Sequence, residues 1–276
     1  MQKILISLVL VVAGFSVAAQ NIVHDANAQV RSVGSFTKIH VSSAINLYLS
    51  QGNQQAVAVS SEDPKVTERI LTEVKDGVLR IYVENGVWNK WNWGNKHLRA
   101  YVTFTTLDLL DASGACNVEL TDPINVGDFK LVLSGASNMR GVIKGANLDF
   151  DLNGASNGKI DASGTSLKMA ESGASNYKGN INTGEADFDI NGASVIDIGG
   201  TATGLTVKAS GASNFKGEDF QVETCNIEAT GASSANLSVS KDLQAKASGA
   251  SSIHYTGGAS ISKIDISGSS TVKKKS

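Results

Sequence analysis

A single tripeptide, Gly-Ala-Ser or a near variant, recurs with its glycine at positions 114, 135, 154, 173, 192, 211, 231, 249 and 268. The intervals are 21, 19, 19, 19, 19, 20, 18 and 19 residues. So short and regular a period excludes most folds, because each repeat must be one small unit that buries its apolar face against its neighbours. Nineteen residues hold no pair of ordinary helices, and Gly-Ala-Ser-Asn is a poor helical segment. A strand, a glycine turn and a second short strand fit.

Alignment on the glycine assigns a role to each position. Four residues before it stand Leu110, Leu131, Phe150, Met169, Phe188, Val207, Ile227, Ala245 and Ile264. Two before it stand Ala112, Leu133, Leu152, Glu171, Ile190, Ala209, Ala229, Ala247 and Ile266. Polar residues occupy most of the positions between them, which is the period-two mark of a strand with one buried face. Five before the glycine run Lys130, Asp149, Lys168 and Asp187; three before it run Asp189, Lys208, Glu228, Lys246 and Asp265. In-register parallel stacking sets equivalent residues about 4.8 Å apart. These two rows then read as structural ladders of alternating charge, each pair contributing roughly 0.2–1 kcal/mol. The position just before the glycine holds Ser, Asn or Thr from Ser134 to Ser267. Such side chains can hydrogen-bond along the stack.

Composition now acquires meaning. The chain has 28 Gly and 2 Pro among 276 residues, and no Pro follows Pro123. A proline inside a continuous hydrogen-bonded stack would remove a ladder donor. Cys116 and Cys225 stand 109 residues apart. At about 4.8 Å per coil their separation is roughly 27 Å, beyond the reach of a disulfide, so two free thiols are expected. With 24 basic and 26 acidic residues the chain has no electrostatic footprint for nucleic acid.

The two ends depart from the repeat. Lys3, the apolar run Ile4 to Val12 and the small residues Ser16-Val17-Ala18-Ala19 predict a signal peptide over residues 1–19. Export, to the periplasm, the outer-membrane surface or the exterior, follows as the expectation. No later segment is apolar enough for a membrane helix. After an N-terminal segment (20–32), one β-helix domain is expected over 33–272, with irregular capping coils at 33–110, repeat coils at 111–272 and a basic tail at 273–276. Alternating strands are read at Phe36 to Val41, Ile45 to Leu49, Val78 to Val83 and Tyr101 to Phe104. Asp63 and Pro64 predict the N-cap and first residue of a short helix.

Phe36-x-x-Ile39-x-Val41, Ile45-x-Leu47-x-Leu49-x-x-Gly52 and Gly77-Val78-Leu79-x-Ile81 precede Ser113-Gly114-Ala115 and the recurring Ser-Gly-Ala-Ser-Asn. In these features, over roughly residues 33 to 255, the chain resembles the putative auto-transporter adhesin, head GIN domain family of exported bacterial proteins. The resemblance implies a right-handed parallel β-helix in the cell envelope and offers no catalytic residues to carry over. The fold expected is therefore all-β, a parallel β-helix with coils of about 19 residues, right-handed as the resemblance implies.

No motif supplies catalytic residues, a cofactor or a metal site. Gly154-Ala155-Ser156-Asn157-Gly158 matches the nucleophile pattern Gly-x-Ser-x-Gly. Met139 and Tyr177 fill the fifth position in neighbouring repeats, so the match is an accident of a variable column. Asp149/Asp151 and Asp187/Asp189 recur two coils apart, about 9.6 Å by stacking. That spacing suits a glycosidase pair, but Lys168 stands between Asp149 and Asp187 and favours structural pairing. Glu171 is the one charge in an otherwise apolar column, expected to be either partly buried with a raised pKa or the mark of a local distortion. Trp88, Trp91 and Trp93 cluster on a polar segment where rings can stack on sugar faces, or pack over the stack's open edge. The leading expectation is a non-catalytic adhesin or binding module that takes a glycan or a surface protein. The alternatives are a polysaccharide lyase or hydrolase and a purely structural envelope protein.

Overall fold

The computed structural model describes residues 25, 27–84 and 97–275. The chain is nearly all β and stacks as a parallel β-helix. The regular part starts with β8 (Leu109–Ala112), β9 (Asn117–Leu120), β10 (Ile124–Asn125), β11 (Phe129–Leu133), β12 (Asn138–Lys144) and β13 (Asn147–Leu152), to follow the numbering of the whole chain. From β14 (Asn157–Glu171) the strands lengthen to nearly a full coil: β15 (Asn176–Ile190), β16 (Val195–Ala209), β17 (Asn214–Ala229) and β18 (Ser234–Ala247). Each coil then has one sharp corner, the Gly-Ala-Ser segment. The stack finishes with β19 (Ser252–Thr256), β20 (Ser260–Ile266) and β21 (Thr271–Lys274).

The corner is where sequence dictates geometry. The nine repeat glycines, from Gly114 to Gly268, all have φ between 70° and 83°, a region in which a Cβ is strained. A second constraint adds to the first. A Cβ built on Gly192 would lie 2.5 Å from the carbonyl oxygen of Gly173, and each corner from Gly135 onward repeats the clash at 2.5–2.7 Å. That same carbonyl accepts from the following alanine of the next coil, as in Ala193 N to Gly173 O at 2.8 Å and Ala212 N to Gly192 O at 2.7 Å. Glycine therefore stacks on glycine, and the register of every strand follows. Lys130 lies beside Asp149, Asp149 beside Lys168 and Lys168 beside Asp187. The 20-residue interval is absorbed by a register shift between Asp197 and Gly199, and the 18-residue one by shifts near Gly217–Gln221 and Val222–Thr224.

Inside, the columns read from the sequence form the core. Leu131, Phe150, Met169, Phe188, Val207 and Ile227 are all fully buried. Aromatic side chains step along the interior, with Phe188 and Phe215 at 5.8 Å between ring centroids and Phe150 and Tyr177 at 6.2 Å. Tyr177 fills the space left by the absent side chain of Gly158, a Cβ at which would meet its ring at 3.0 Å. The serines of the corner turn inward. Ser156 and Ser175 are buried and donate to the carbonyls of Asn153 (2.7 Å) and Ser172 (3.0 Å) respectively. Both cysteines are free and buried, their thiols pushed up to about 11 (Cys116) and about 12 (Cys225) chiefly by desolvation.

The N-terminal third departs from a simple continuation of the coils. It contains β1 (Gln29–Arg31), β2 (Lys38–Val41), β3 (Asn46–Gln51), β4 (Ala56–Ser60), α1 (Pro64–Thr67), β5 (Ile70–Lys75), β6 (Val78–Val83) and β7 (Arg99–Phe104). β2 pairs in parallel with both β6 and β8, and β3 with both β7 and β9. Residues 78–83 and 99–104 thus lie outside residues 38–41 and 46–51, which lie outside residues 109–112 and 117–120. Spatial order inverts chain order. Antiparallel pairs β5–β6, β4–β7 and β1–β4 then close this end. The helix α1 has Asp63 as N-cap, whose carboxylate accepts from Lys65 N at 3.0 Å, and it buries Val66 completely. No helix among the described residues is long and apolar enough to cross a membrane.

The double constraint at the corner gives a direct test. Gly192→Ala should lower unfolding free energy by about 1–3 kcal/mol. Gly127→Ala, where a Cβ meets nothing within 4 Å, should stay within about 0.5 kcal/mol of wild type. Denaturant unfolding of the two variants measures both, and equal effects would contradict the corner account.

Candidate functional site

Three residues after each corner glycine the chain presents a side chain to solvent. At this position Asn46, Asn117, Asn138, Asn157 and Asn176 lie in register over five coils. Each amide donates to the one before it. Asn117 Nδ2 reaches Asn46 Oδ1 at 2.9 Å, Asn138 reaches Asn117 at 2.9 Å, Asn157 reaches Asn138 at 2.9 Å and Asn176 reaches Asn157 at 3.1 Å. The ladder stops at Val195. Asn138 and Asn157 also direct Nδ2 at the carbonyls of Ala136 (3.5 Å) and Ala155 (3.4 Å), so each of these interior amides offers an outside partner chiefly a lone pair on Oδ1.

Two residues further along the same face runs a second row, Tyr101, Tyr48, Glu119, Arg140, Lys159, Lys178, Asp197 and Lys216, again in register. Tyr48 and Tyr101 stack at 5.2 Å between centroids. Arg140, Lys159 and Lys178 are three like charges in successive coils, where the rows noted from sequence alternate in sign. Charges about 4.8 Å apart repel by roughly 0.9 kcal/mol even at the dielectric of water. The outer two are relieved: Arg140 pairs with Glu119, which also raises its guanidinium pKa, and Lys178 pairs with Asp197 at 3.0 Å. Lys159 forms no ion pair among the described residues. The carboxylate of Asp161, two residues along its strand, instead accepts from Asn180 N at 2.7 Å.

Together the two rows line a groove of about 520 Å³ that runs along the stack from Tyr48 to Lys178. Four coil steps make it roughly 19 Å long. Val118, Met139 and Gly158 contribute to its lining between the polar rows. The groove can hold an extended molecule by amide hydrogen bonds on one side and cationic groups on the other.

The residues singled out by sequence lie elsewhere. Of the row Lys130, Asp149, Lys168 and Asp187, the contact closed to ion-pair distance is Lys130–Asp149 at 3.2 Å. Of Asp189, Lys208, Glu228, Lys246 and Asp265, it is Lys246–Glu228 at 2.7 Å, which raises the Lys246 pKa. Both rows are in register throughout. Ser156 is fully buried with its hydroxyl given to a backbone carbonyl, so it is no nucleophile. Among the described residues no group of His, Cys, Asp and Glu is placed to hold a metal ion. Trp88, Trp91 and Trp93 lie outside the described residues. The carbonyl of Leu98 accepts from Asn46 N at 2.8 Å, at the Tyr48 end of the groove.

Glu171 sits between Leu152 and Ile190 in the interior, 1% exposed, with neither carboxylate oxygen hydrogen-bonded. Desolvation pushes its pKa up to about 8. The hydroxyl of nearby Tyr177 is committed to the Ile160 carbonyl at 2.7 Å. A carboxyl whose folded pKa exceeds its unfolded one favours the fold fully only below the unfolded value near 4.5, and that favour drains away as pH rises to about 8. Across that window the loss approaches about 1.4 kcal/mol per pH unit. Glu171→Leu should therefore raise the unfolding temperature, with an advantage that widens between pH 5 and pH 8. Thermal melts at both pH values check this, and a leucine variant no more stable than wild type would rule out burial at a cost.

Comparison with known proteins accords with this architecture. Similar solved structures include a putative adhesin from Parabacteroides distasonis (19% identical, 90% of this chain and 96% of that one, TM-score 0.66). A putative lipid binding protein from the same organism is also 19% identical, over 91% of this chain and 98% of that one, with a TM-score of 0.61. A putative adhesin from Parabacteroides merdae is 16% identical over 91% and 98%, with a TM-score of 0.58. Identities this low show a shared fold. No curated protein matches. The putative auto-transporter adhesin, head GIN domain family matches residues 35–180 and 155–259, spanning the inverted N-terminal coils and nearly all the glycine corners. The chain belongs to that family.

Proposed function

We propose that this protein is an exported, non-catalytic binding module of the bacterial cell envelope. Its groove holds an acidic glycan in extended form along the stack. The observation that carries this reading is the run of like charges Arg140–Lys159–Lys178, whose middle member has no ion pair among the described residues, beside the asparagine ladder. Like charges in neighbouring coils work against the fold, and elsewhere in the two rows read from sequence charges alternate. An arrangement that costs stability and opens onto a groove is explained by a ligand that supplies the missing negative charge. A sugar chain suits the rest of the geometry. Its hydroxyls can donate to the outward-facing amide oxygens, and its carboxylate or sulfate groups can meet Lys159. Membership of an adhesin family supports a surface partner.

Trp88, Trp91 and Trp93 extend this proposal. Their aromatic rings are of the kind that stacks on sugar faces, and they are read as a contribution to the same ligand. The signal sequence over residues 1–19 accounts for delivery to the envelope.

A glycan array that includes uronate-containing, sulfated and neutral polysaccharides, with anionic lipid vesicles as a separate arm, tests the reading. Acidic glycans should bind, and binding should weaken with salt. Lys159→Glu should lower affinity about tenfold or more, as expected for loss of a charge-assisted contact. Lys130→Glu, on the other ladder, should leave it unchanged. Preference for neutral glycans, binding to vesicles alone, or indifference to Lys159→Glu would overturn the proposal.

A further inference from the structure

The two ends of the stack are built differently. At the N-terminal end, antiparallel strands fold back and α1 buries Val66, so the interior is covered. At the other end, among the described residues, β20 pairs with β18 alone and β21 with β19 alone. The inward residues of this last coil, Ile261, Ile264 and Ile266, are 43%, 43% and 47% exposed. Their partners in the preceding coil, Leu243, Ala245 and Ala247, are at most 3% exposed. Ser267 N donates back to Ala247 O at 2.9 Å. By strand alternation, the N–H and C=O of Ile264 and Ile266 therefore point out of the stack. An apolar face and an unpaired edge coincide, the usual template for another strand.

We propose that this end is a homotypic interface, with β20 of one copy pairing antiparallel to β20 of a second about a twofold axis at Ile264. The charges on the strand argue for this partner. Lys263 and Asp265 flank Ile264 and point away from the core. Antiparallel pairing centred on Ile264 sets Lys263 of each copy opposite Asp265 of the other, so two unlike pairs form across the axis. The outward backbone groups of the two Ile264 residues then exchange hydrogen bonds. The same pairing through β21 is disfavoured, since centring it on Lys273 or Lys274 sets lysine against lysine. Head-to-tail addition as a continued parallel stack is disfavoured because the free edges at the N-terminal end among the described residues, β1 and β5, belong to strands that run antiparallel to their neighbours. The contact is isologous and therefore closes as a dimer rather than growing into a fibre. The dimer carries two grooves on one rigid body and gains avidity for a polymeric ligand. The interface itself does not depend on the identity of that ligand.

Sedimentation velocity over a concentration series tests the interface. The purified protein should be a dimer at about 50 µM, an affinity well within reach of a modest interface. Lys263→Glu and Asp265→Lys should each weaken dimerisation about tenfold. The double variant Lys263→Glu/Asp265→Lys, which re-creates the unlike pairs, should dimerise like wild type. Ile264→Glu should give a monomer with an unchanged circular dichroism spectrum. A monomeric wild type, open-ended assembly, or a double variant no better than the single ones would overturn the proposal.

Discussion

The structure depends on one contact, glycine over glycine at the corner of each coil. The backbone there takes a conformation open to glycine, and the carbonyl of the coil below occupies the space a side chain would need. The alanine N–H that follows bonds to that same carbonyl at 2.7–2.8 Å. A slip of one residue would place a Cβ against an oxygen and turn the apolar columns to solvent. Steric exclusion and hydrogen bonding thus select the same register. Once it is fixed, position in the repeat becomes position on the surface. The buried serines, the asparagine ladder, the charge rows and the groove all follow from that correspondence.

A solenoid with its register set at the corner leaves its outward columns open to other uses. The row through Arg140, Lys159 and Lys178 bears a repulsion that simple maintenance of the fold does not need. The interior offers a parallel case in Glu171, whose column is otherwise apolar and whose carboxyl finds no partner. The two costs differ in kind. A charge at the surface is screened and can be offset by a ligand, whereas a buried carboxyl responds by holding its proton. The groove therefore bears on binding and Glu171 on stability.

Much of this was legible in the sequence because parallel stacking turns periodicity directly into contact. The interval between glycines identified the coil, and the columns of Leu131 and Phe150 identified the core. Asp63 and Pro64 marked the only helix among the described residues. The N-terminal inversion was not legible. Antiparallel pairing leaves no repeat, and the first corner carries Ser43 and Ala44 at positive φ instead of glycine. The hydroxyl of Ser43 accepts from Val83 N at 3.3 Å. That substitution hides Asn46 from an alignment made on glycine. The groove was missed for a related reason. Its members lie after the glycine, whereas the charge rows stood out before it, and the meaning of Lys159 emerges from its neighbours in space.

In-register stacking, on which the groove rests, is tested most directly by cysteine cross-linking on a background in which Cys116→Ser and Cys225→Ala remove the native thiols. Asn157→Cys paired with Asn176→Cys places two thiols on adjacent coils, about 4.8 Å apart at Cα and within disulfide range. Asn138→Cys paired with Asn176→Cys places them two coils apart, about 9.6 Å and out of range. Mild oxidation followed by mass spectrometry should find the first pair closed and the second open. Closure of the second pair, or failure of the first, would contradict the stack.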